Sequence, residues 1–556
     1  MALERPRFAL RIGVTGHLKL AAEEQCRAGI QSALAMVQSV TRKIREDSLA
    51  AFAADAVLFR AVSALAEGAD RLFAAEALDL KFELDCVLPF AQAEYEGEFA
   101  PGESVSQFRD LLSRADGRVL ELDGSATPEK QSAAYESAGR AMLDQCDLLL
   151  TIWNGEPARG PGGTGQIVEI ARRKGMPILW IHSETGLPLL KTRRNETPLN
   201  EGALLEPLGL ILKPPQSKDP DVTGSYRAAI PEKPSLLSRI WVLFLRTMTI
   251  GLKLSPSYKE REPKGPFVPL YQHFDAIANR MAGLYRGSHV TSSALGVCAV
   301  FLALLGFVLP QASEVWLSIE LAAVSLIYAL TIAVNRKEWH YRSVDCRYIA
   351  EQFRVLCAVY SLALSAPPPR IPAHHRHGNV ARSWMEWLLR ASIRSAPMPT
   401  GKVNPAFLHH VRTELLEGWI LGQISYHRRN AERMEFVQER SDLLVRLSVA
   451  IAAASCVLHF FVANHEISKW FTLGAAGFPA VAAAFHAIAT QGEFRRLANR
   501  SNDMRESLEN IEARFVALGD TPSFVDLRRI ANEAAELIVE EVADWQILYR
   551  KPVEPS

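Results

Sequence analysis

The sequence has no net charge, because its 62 Lys and Arg residues balance 62 Asp and Glu residues. A nucleic-acid-binding protein usually carries a basic excess, so this balance argues against a nucleic-acid partner. Cysteine is also scarce. The seven cysteines form no CxxC pair, which predicts reduced, structural thiols in a cytosolic or membrane setting. At 556 residues the chain is expected to form several domains rather than one core.

Charge is almost absent from long stretches in the second half of the chain. Residues 290–309 carry none, residues 315–334 carry only Glu320, and residues 443–463 and 471–490 form a second apolar pair. A helix rises about 1.5 Å per residue, so about 20 residues are needed to cross a hydrocarbon core. The sequence therefore predicts an all-α membrane domain with four transmembrane helices. The short turns between paired runs predict two hairpins.

Basic residues gather outside the outer ends of these runs, whereas the two turns hold only Lys469. The flanking basic residues are Arg280, Arg286, Arg336, Lys337, Arg342, Arg347, Arg428, Arg429, Arg433, Arg440, Arg495, Arg496 and Arg500. This is the positive-inside pattern, and it predicts a multi-pass protein of the inner (cytoplasmic) membrane with both termini in the cytoplasm. Arg446 and His459 inside the third run keep open the alternative of apolar helices buried in a soluble protein.

The two apolar pairs are related by a constant offset. ANRM at residues 278–281 precedes the first pair and AERM at residues 431–434 precedes the second, and 431 − 278 gives 153. Adding 153 to Val290 gives Leu443, which begins the third apolar run. An internal duplication of one hairpin unit is therefore expected.

Composition divides the chain into five parts. These are an α/β domain (1–190), a linker (191–265), a first hairpin unit (266–365), a second linker (366–400) and a second hairpin unit (401–550). Within the first linker, residues 236–254 are apolar but carry Arg239, Arg246 and Lys253 about seven apart, which favours an amphipathic helix on the cytoplasmic leaflet. Packing of this helix against the sheet is the alternative. HHRH at residues 374–377 is interpreted as a solvated loop and not as a metal site.

Short β-type runs alternate with helical stretches in the first part of the chain. Strands are expected at residues 8–14, 57–62, 84–90, 119–122, 147–153 and 176–182. Glycine-containing turns follow the first, second and fifth of these strands. The first N–H groups of a helix are unpaired, so a turn that leads from a strand into a helix can bind an anion. The pattern predicts an α/β doubly wound parallel sheet with a ligand cleft along the carboxyl edge.

Five motifs occur in order along this part. They are GVTGH (13–17), SALAEGADR (63–71), VLPF with a following EY (87–95), DLLLTIWNG (147–155) and PGGTGxxxE (161–169). Together they resemble the SLOG superfamily of Rossmann-like nucleotide-binding domains over roughly residues 8–185. Relatives in that superfamily include phosphoribohydrolases and sensors of cyclic or ADP-ribose-type nucleotides. The resemblance implies a nucleotide or a nucleotide-derived second messenger as ligand, with no other cofactor.

The resemblance also implies which residues contact that ligand. They are Gly13, Thr15, Gly16, His17, Leu65, Glu67, Gly68, Asp70, Arg71, Tyr135, Trp153, Gly162, Gly163, Thr164, Gly165 and Glu169. The backbone of the glycine turns and of Thr164 is expected to hold phosphate. Arg71 is expected to add charge, Asp70 and Glu169 to face ribose hydroxyls, and Tyr135 or Trp153 to stack on the base. A helix cap is the alternative role of Asp70.

An enzymatic alternative rests on Glu169. The phosphoribohydrolases carry PGGxGTxxE, which this chain matches at Pro161, Gly162, Gly163, Gly165 and Glu169. Gln166 replaces the threonine, and the chain lacks the Arg-Lys segment that partners the glutamate in those enzymes. Cleavage of a nucleotide also needs a clamped phosphate and a stabilised leaving group, so binding is favoured over catalysis. The alternative is a membrane-tethered N-glycosidase or phosphoribohydrolase.

The flanks of the apolar runs resemble a second family. The matching residues are Trp339, Tyr341, Arg342, Ala350, Glu351 and Arg354. They are similar to those of the SLATT group, two-helix membrane effectors that accompany SLOG domains in bacterial conflict systems. The combination implies a nucleotide-sensing effector of an anti-phage or conflict system, acting as a homo-oligomeric pore. A transporter is less favoured, because hairpins of the same topology lack the inverted repeat of many transporters.

Overall fold

The computed structural model describes residues 3–158, 160–193, 195–215, 226–227, 234–258, 261–367 and 383–549. The N-terminal part is an α/β region. Its elements are β1 (Ala9–Gly16), α1 (Glu23–Glu46), β2 (Leu58–Ser63), α2 (Ala69–Asp79), β3 (Glu83–Leu88), α3 (Gln92–Glu96), α4 (Glu103–Arg114), β4 (Val119–Glu121), α5 (Pro128–Gln145), β5 (Leu148–Trp153), α6 (Thr164–Lys174), β6 (Ile178–His182), β7 (Pro188–Lys191), β8 (Glu196–Pro198) and α7 (Glu201–Leu212).

One sheet organises this region. Within the described residues its strand order is β8-β7-β6-β5-β1-β2-β3-β4-β9, where β9 is the short strand Gly401–Lys402 from far along the chain. Strands β1 to β6 and β9 pair in parallel, and β7 and β8 extend the β6 edge in antiparallel fashion. The parallel arrangement predicted from the sequence is confirmed.

The central strands are apolar because both faces of the sheet are covered. On β5, Leu148 and Leu150 pack into a core that includes α1, α2 and α4, while Leu149 packs into a second core with α5 and α6. All three side chains are fully buried. A near-continuous apolar run is what a strand covered on both faces requires.

The C-terminal part is helical. Its elements are α8 (Leu236–Met248), α9 (Val268–Val308), α10 (Ser313–Lys337), α11 (Trp339–Val359), α12 (Trp384–Ser395), α13 (Pro405–Leu415), α14 (Leu421–Phe461), α15 (His465–Gly492), α16 (Phe494–Ala517) and α17 (Phe524–Tyr549). A π-helical turn, Leu416–Ile420, joins α13 to α14 without a break. Residues 366–400, treated as a linker from composition, contain α12, whereas the HHRH motif at 374–377 lies outside the described residues.

Four of the described helices are long and apolar enough to cross a membrane, as predicted. They contain the four uncharged runs and correspond to α9, α10, α14 and α15. Between 6% and 22% of the residues in their apolar windows are buried, so these helices are not wrapped inside a globular core. Apolar helices this exposed require lipid or another apolar surface around them. The chain is therefore a membrane protein by composition and exposure.

The repeat seen in the sequence is visible in the helices. Both α9 and α14 have 41 residues, and both their first and last residues differ by 153. Helices α10 and α15 each end at a glutamate in the left-handed region, Glu338 with φ 50° and Glu493 with φ 49°. Helix α9 packs against α10 and α15, and α15 packs against α14. Close approach uses small residues, since a Cβ at Gly477 would lie 2.7 Å from the Phe301 ring.

Two parts of the helical region are built into the α/β region. The carbonyl of Ala396, just after α12, accepts hydrogen bonds from the guanidinium groups of Arg11 on β1 and Arg60 on β2. A second contact lies at α5, where Arg528 of α17 donates to Asp144 at 2.5 Å. Arg11 and Arg528 are 1% and 8% exposed, so both contacts are interior. The sheet and the membrane helices are therefore parts of one packed structure.

Candidate functional site

The carboxyl ends of β1 and β5 form the centre of the candidate site. Gly16 ends β1 beside Ile152 of β5, and the His17 N–H donates to the Ile152 carbonyl at 3.1 Å. A Cβ at Gly16 would lie 2.3 Å from the Cβ of Ala69 and 2.8 Å from the Ile152 carbonyl oxygen. Glycine is therefore required here, because it lets α2 approach the strand end.

Helix α2 begins directly against this strand end. The Ala69 N–H donates to the His17 carbonyl at 3.1 Å. Gly68 precedes the helix with φ 76°, a left-handed conformation that side chains resist. A Cβ there would also lie 2.3 Å from the Leu18 carbonyl oxygen. The GVTGH and SALAEGADR motifs therefore meet in space although about 50 residues separate them.

Helix α6 begins at the same place from the other side. Gly163 occupies its N-cap, and the Thr164 hydroxyl donates to the Gly16 carbonyl at 2.9 Å. The Gly162 N–H donates to the Gln166 side chain at 2.5 Å, which fixes the loop before the helix. The N-termini of α2 and α6 thus converge on the end of β1. The first turn of a helix has N–H groups without intrahelical partners, so this convergence of two helix N-termini is a candidate anion site.

The loop after β2 is held in a strained conformation. Leu65 is fully buried with φ 57°, and its N–H donates to the Ser63 hydroxyl at 3.0 Å. Asp70 is 6% exposed, and burial raises the pKa of its carboxyl to about 7. The N–H groups of Ala64 and Ala66 bond to this carboxyl and oppose the rise. Asp70 therefore ties the loop together. Non-glycine residues with positive φ concentrate at functional sites, so the strained loop after β2 is consistent with a binding role.

Arg71 and Glu67 are committed to neighbouring protein groups. The Arg71 guanidinium donates to the Leu65 carbonyl at 3.1 Å and to the Ser104 hydroxyl at 2.7 Å, and it stacks over the Phe99 ring at 4.1 Å. The Ser104 hydroxyl donates in turn to Glu67. Ser104 was not recognised from the sequence, because its position at the start of α4 becomes meaningful only when that helix lies beside α2.

The two aromatic candidates lie in different places. Tyr135 on α5 lies against Gly162, where a Cβ would be 3.0 Å from the Tyr135 Cβ, and it packs edge-on against Phe90. Burial raises the pKa of its hydroxyl to about 12. Trp153 ends β5 and packs against Trp180, over whose ring the Lys191 ammonium lies at 3.5 Å. The structure thus brings Tyr135 to the α6 side of the site and Trp153 toward β6 and β7.

Four candidates lie apart from this convergence or serve packing. Gly13 lies inside β1, three residues before its end, with its Cα facing Met142 of α5, and Thr15 is a β1 residue paired with β5. Gly165 packs against Ala158 in the preceding loop. Glu169 lies further along α6.

The Glu169 carboxylate accepts from Arg172 at 2.8 Å and from Arg173 at 2.9 Å. These bonds lower its pKa to about 2. A carboxylate so fully ionised is a weak general base, because an effective base has a pKa near the working pH. No cluster of three or more metal-ligating side chains occurs among the described residues.

Comparison of the chain with protein-family models and with curated proteins finds no match. The function is therefore argued from the geometry of the sheet edge and of the apolar helices.

Proposed function

We propose that this chain is a nucleotide-sensing membrane effector. In this proposal a phosphorylated nucleoside, such as a nucleotide-derived second messenger, binds at the carboxyl edge of a SLOG-like, Rossmann-like sheet. Binding opens an oligomeric pore, or disrupts the membrane, through two SLATT-like hairpins. The protein would lie in the inner membrane of a bacterium with both termini in the cytoplasm and serve an anti-phage or conflict system.

The observation that carries the ligand half is the meeting of two helix N-termini at Gly16. The Ala69 N–H and the Thr164 hydroxyl both bond to the end of β1, at 3.1 Å and 2.9 Å. Helix N-termini favour negative charge through their unpaired N–H groups and their dipoles. A ligand with a phosphate fits this edge better than a neutral one.

The link to the membrane helices runs through α5 and α17. Helix α5 carries Tyr135 next to the Gly162 loop and, near its other end, Asp144 bonded to Arg528. Helix α17 then continues from Arg528 to Glu541, about 20 Å further at the usual helical rise. There Glu541 pairs with Arg500 of α16 at 3.4 Å, just beyond the fourth apolar run. If the ligand displaced α5, the rigid helix α17 would pass that displacement to α16, next to the fourth apolar run.

Ligand can shift such an equilibrium only by its preference for one state. The test is reconstitution of the protein in dye-loaded liposomes, with a panel of cyclic and ADP-ribose-type nucleotides added outside and inside. Dye release is expected with at least one of them. Arg528→Gln is expected to bind that nucleotide as tightly as the unmodified protein but to release less dye.

Two controls make this test decisive. Arg529→Gln removes a neighbouring charge whose side chain is 55% exposed and pairs only within its own helix among the described contacts, so it should leave dye release unchanged. Release of free base that is lost in Glu169→Ala would replace sensing by the N-glycosidase alternative. Absence of both dye release and nucleotide binding would end the proposal.

A further inference from the structure

A polar chamber lies among the helices next to the apolar runs. Its volume is about 630 Å³, within the range of small-molecule sites. Helices α9, α11, α14, α16 and α17 contribute its walls, together with the end of α15. It is formed by different elements from the sheet edge, and its existence does not depend on nucleotide binding there.

Most of the charge in this chamber is neutralised within the protein. Arg347 pairs with Asp275 at 2.7 Å and with Glu351 at 3.2 Å. Arg354 also pairs with Glu351 and donates to Gln423 at 2.8 Å. The charges of the two arginines and the two carboxylates therefore cancel within one network of ion pairs.

The remaining carboxylates are also paired. Glu541 accepts from Arg500 at 3.4 Å, and Glu493 accepts from Arg496 at 3.4 Å. Burial raises the pKa of the Glu541 carboxyl. The acidic side of the chamber is thus balanced by arginines before any ligand is considered.

Arg286 belongs to none of these ion pairs. It lines the chamber, its side chain is exposed, and no ion pair to it occurs among the described residues. Its guanidinium lies 5.4 Å from the centre of the Trp241 ring of α8. His427, on the opposite helix α14, is 5% exposed, lines the same chamber, and has no hydrogen-bond partner at Nδ1. A guanidinium outside the ion pairs and an unsatisfied buried ring nitrogen therefore line one cavity.

The chamber lies at one boundary of the apolar runs. Arg286 precedes the first run by four residues, and Gln491 and Gly492 of the lining directly follow the fourth. Helix α8 packs closely against α9 at this level, since a Cβ at Gly287 would lie 2.0 Å from the Leu237 carbonyl oxygen. Phosphate head groups are the anions concentrated at such a boundary, and an arginine between helices at this level can bind them.

We infer that the chamber is a second binding site, specific for a phosphate-bearing ligand that Arg286 holds. The planar guanidinium offers two parallel N–H donors that match two phosphate oxygens. His427 supplies a further hydrogen bond deeper in the cavity. The phosphate comes either from an anionic phospholipid of the surrounding bilayer or from a soluble anion, and the two sources are distinguished by experiment.

The lipid arm compares nanodiscs of phosphatidylcholine with nanodiscs that also contain phosphatidylglycerol. The unmodified protein is expected to melt at a higher temperature with phosphatidylglycerol, and Arg286→Gln to lose that gain. Arg336→Gln is the matched control, because Arg336 is an exposed residue at the end of α10 and does not line the chamber. It is expected to keep the gain.

The soluble arm measures equilibrium binding of inorganic diphosphate in phosphatidylcholine nanodiscs. Binding in the chamber is expected to weaken about tenfold or more in Arg286→Gln, because a charge-assisted pair of hydrogen bonds is lost. The sheet edge stays intact in this variant. Any diphosphate binding that is equally strong in Arg286→Gln and in the unmodified protein therefore occurs at the sheet edge and not in the chamber.

The two arms together show whether Arg286 holds a phosphate and from which source it comes. A difference between Arg286→Gln and Arg336→Gln in the first arm identifies a lipid head group, and a difference in the second identifies a soluble phosphate. Equal behaviour of the two variants in both arms overturns the inference. If Arg286→Gln loses the circular dichroism spectrum of the folded protein, Arg286→Lys replaces it. Lysine keeps the charge but not the planar pair of donors, so it should weaken binding to a smaller degree.

Discussion

Replacement of Asp70 by asparagine tests whether this carboxyl is a structural tie of the site. Its folded pKa of about 7 compares with 3.8 for an ordinary aspartate. Between pH 3.8 and about pH 7 the Asp70 carboxyl is protonated in the folded protein but ionised in the unfolded chain. The free energy of unfolding therefore falls as pH rises through this window. The stability that the neutral carboxyl confers is present below the lower pKa and is lost as pH rises through the higher one. A difference of about 3 in pKa corresponds to about 4 kcal/mol. Asparagine is a neutral isostere and should remove this dependence.

The measurement is hydrogen exchange of the backbone amides of β2 and α2, followed by mass spectrometry between pH 4 and pH 8, with rates corrected for intrinsic exchange. Protection in the unmodified protein is expected to fall across this window, while Asp70→Asn should change little and be the better protected of the two at pH 8. Asp79→Asn is the control, because Asp79 ends the same helix with its side chain 72% exposed. Parallel profiles for the unmodified protein and Asp70→Asn would refute the reasoning.

Three further changes test other parts of the structure. Gly16→Val should destabilise the α/β region by about 3 kcal/mol and abolish ligand binding, because its Cβ would lie 2.3 Å from that of Ala69; thermal melting and nucleotide titration check this. Arg528→Met should cost about 2 kcal/mol, because the hydrogen bonds of its guanidinium to Asp144 and to the Leu362 carbonyl are lost while Lys174 still pairs with Asp144 at 2.5 Å; thermal melting checks this. Glu169→Gln should leave both melting and binding within error, because this carboxylate pairs with arginines of its own helix; a large loss of binding would contradict that assignment.

Much of the architecture was readable from periodicity. Apolar strands such as β5 and uncharged runs such as residues 290–309 predicted a parallel sheet and four long apolar helices, and both are present in the structure. Strand β9 was not predicted, because it has two residues, Gly401 and Lys402, and exists only through its pairing with Leu120 and Glu121 of β4. Local propensity carries no signal for a strand that is specified by a distant partner.

The candidate site could be located more reliably than its side-chain roles could be assigned. Glycine turns after strands mark an edge, since parallel strands bring their carboxyl ends together. Arg71 illustrates the limit, because its charge predicts a ligand contact, whereas in the structure Ser104 and Phe99 hold it. Glu169 is similar, since a motif match fixes its place on α6 but not the neighbouring arginines that take its carboxylate. A motif specifies backbone geometry, and tertiary neighbours decide what a side chain does.

The position of the contacts between sheet and helices constrains how a ligand would act. Arg11 and Arg60 bond to the Ala396 carbonyl from the early residues of β1 and β2, away from the carboxyl edge where the glycine turns lie. A ligand at that edge therefore cannot touch this contact directly, and strands hydrogen-bonded on both sides move little. Helix α5 is different, because it lies beside the Gly162 loop at one point and meets Arg528 at another. If the sheet edge controls the membrane helices, movement of α5 against a fixed sheet is one route that the packing allows.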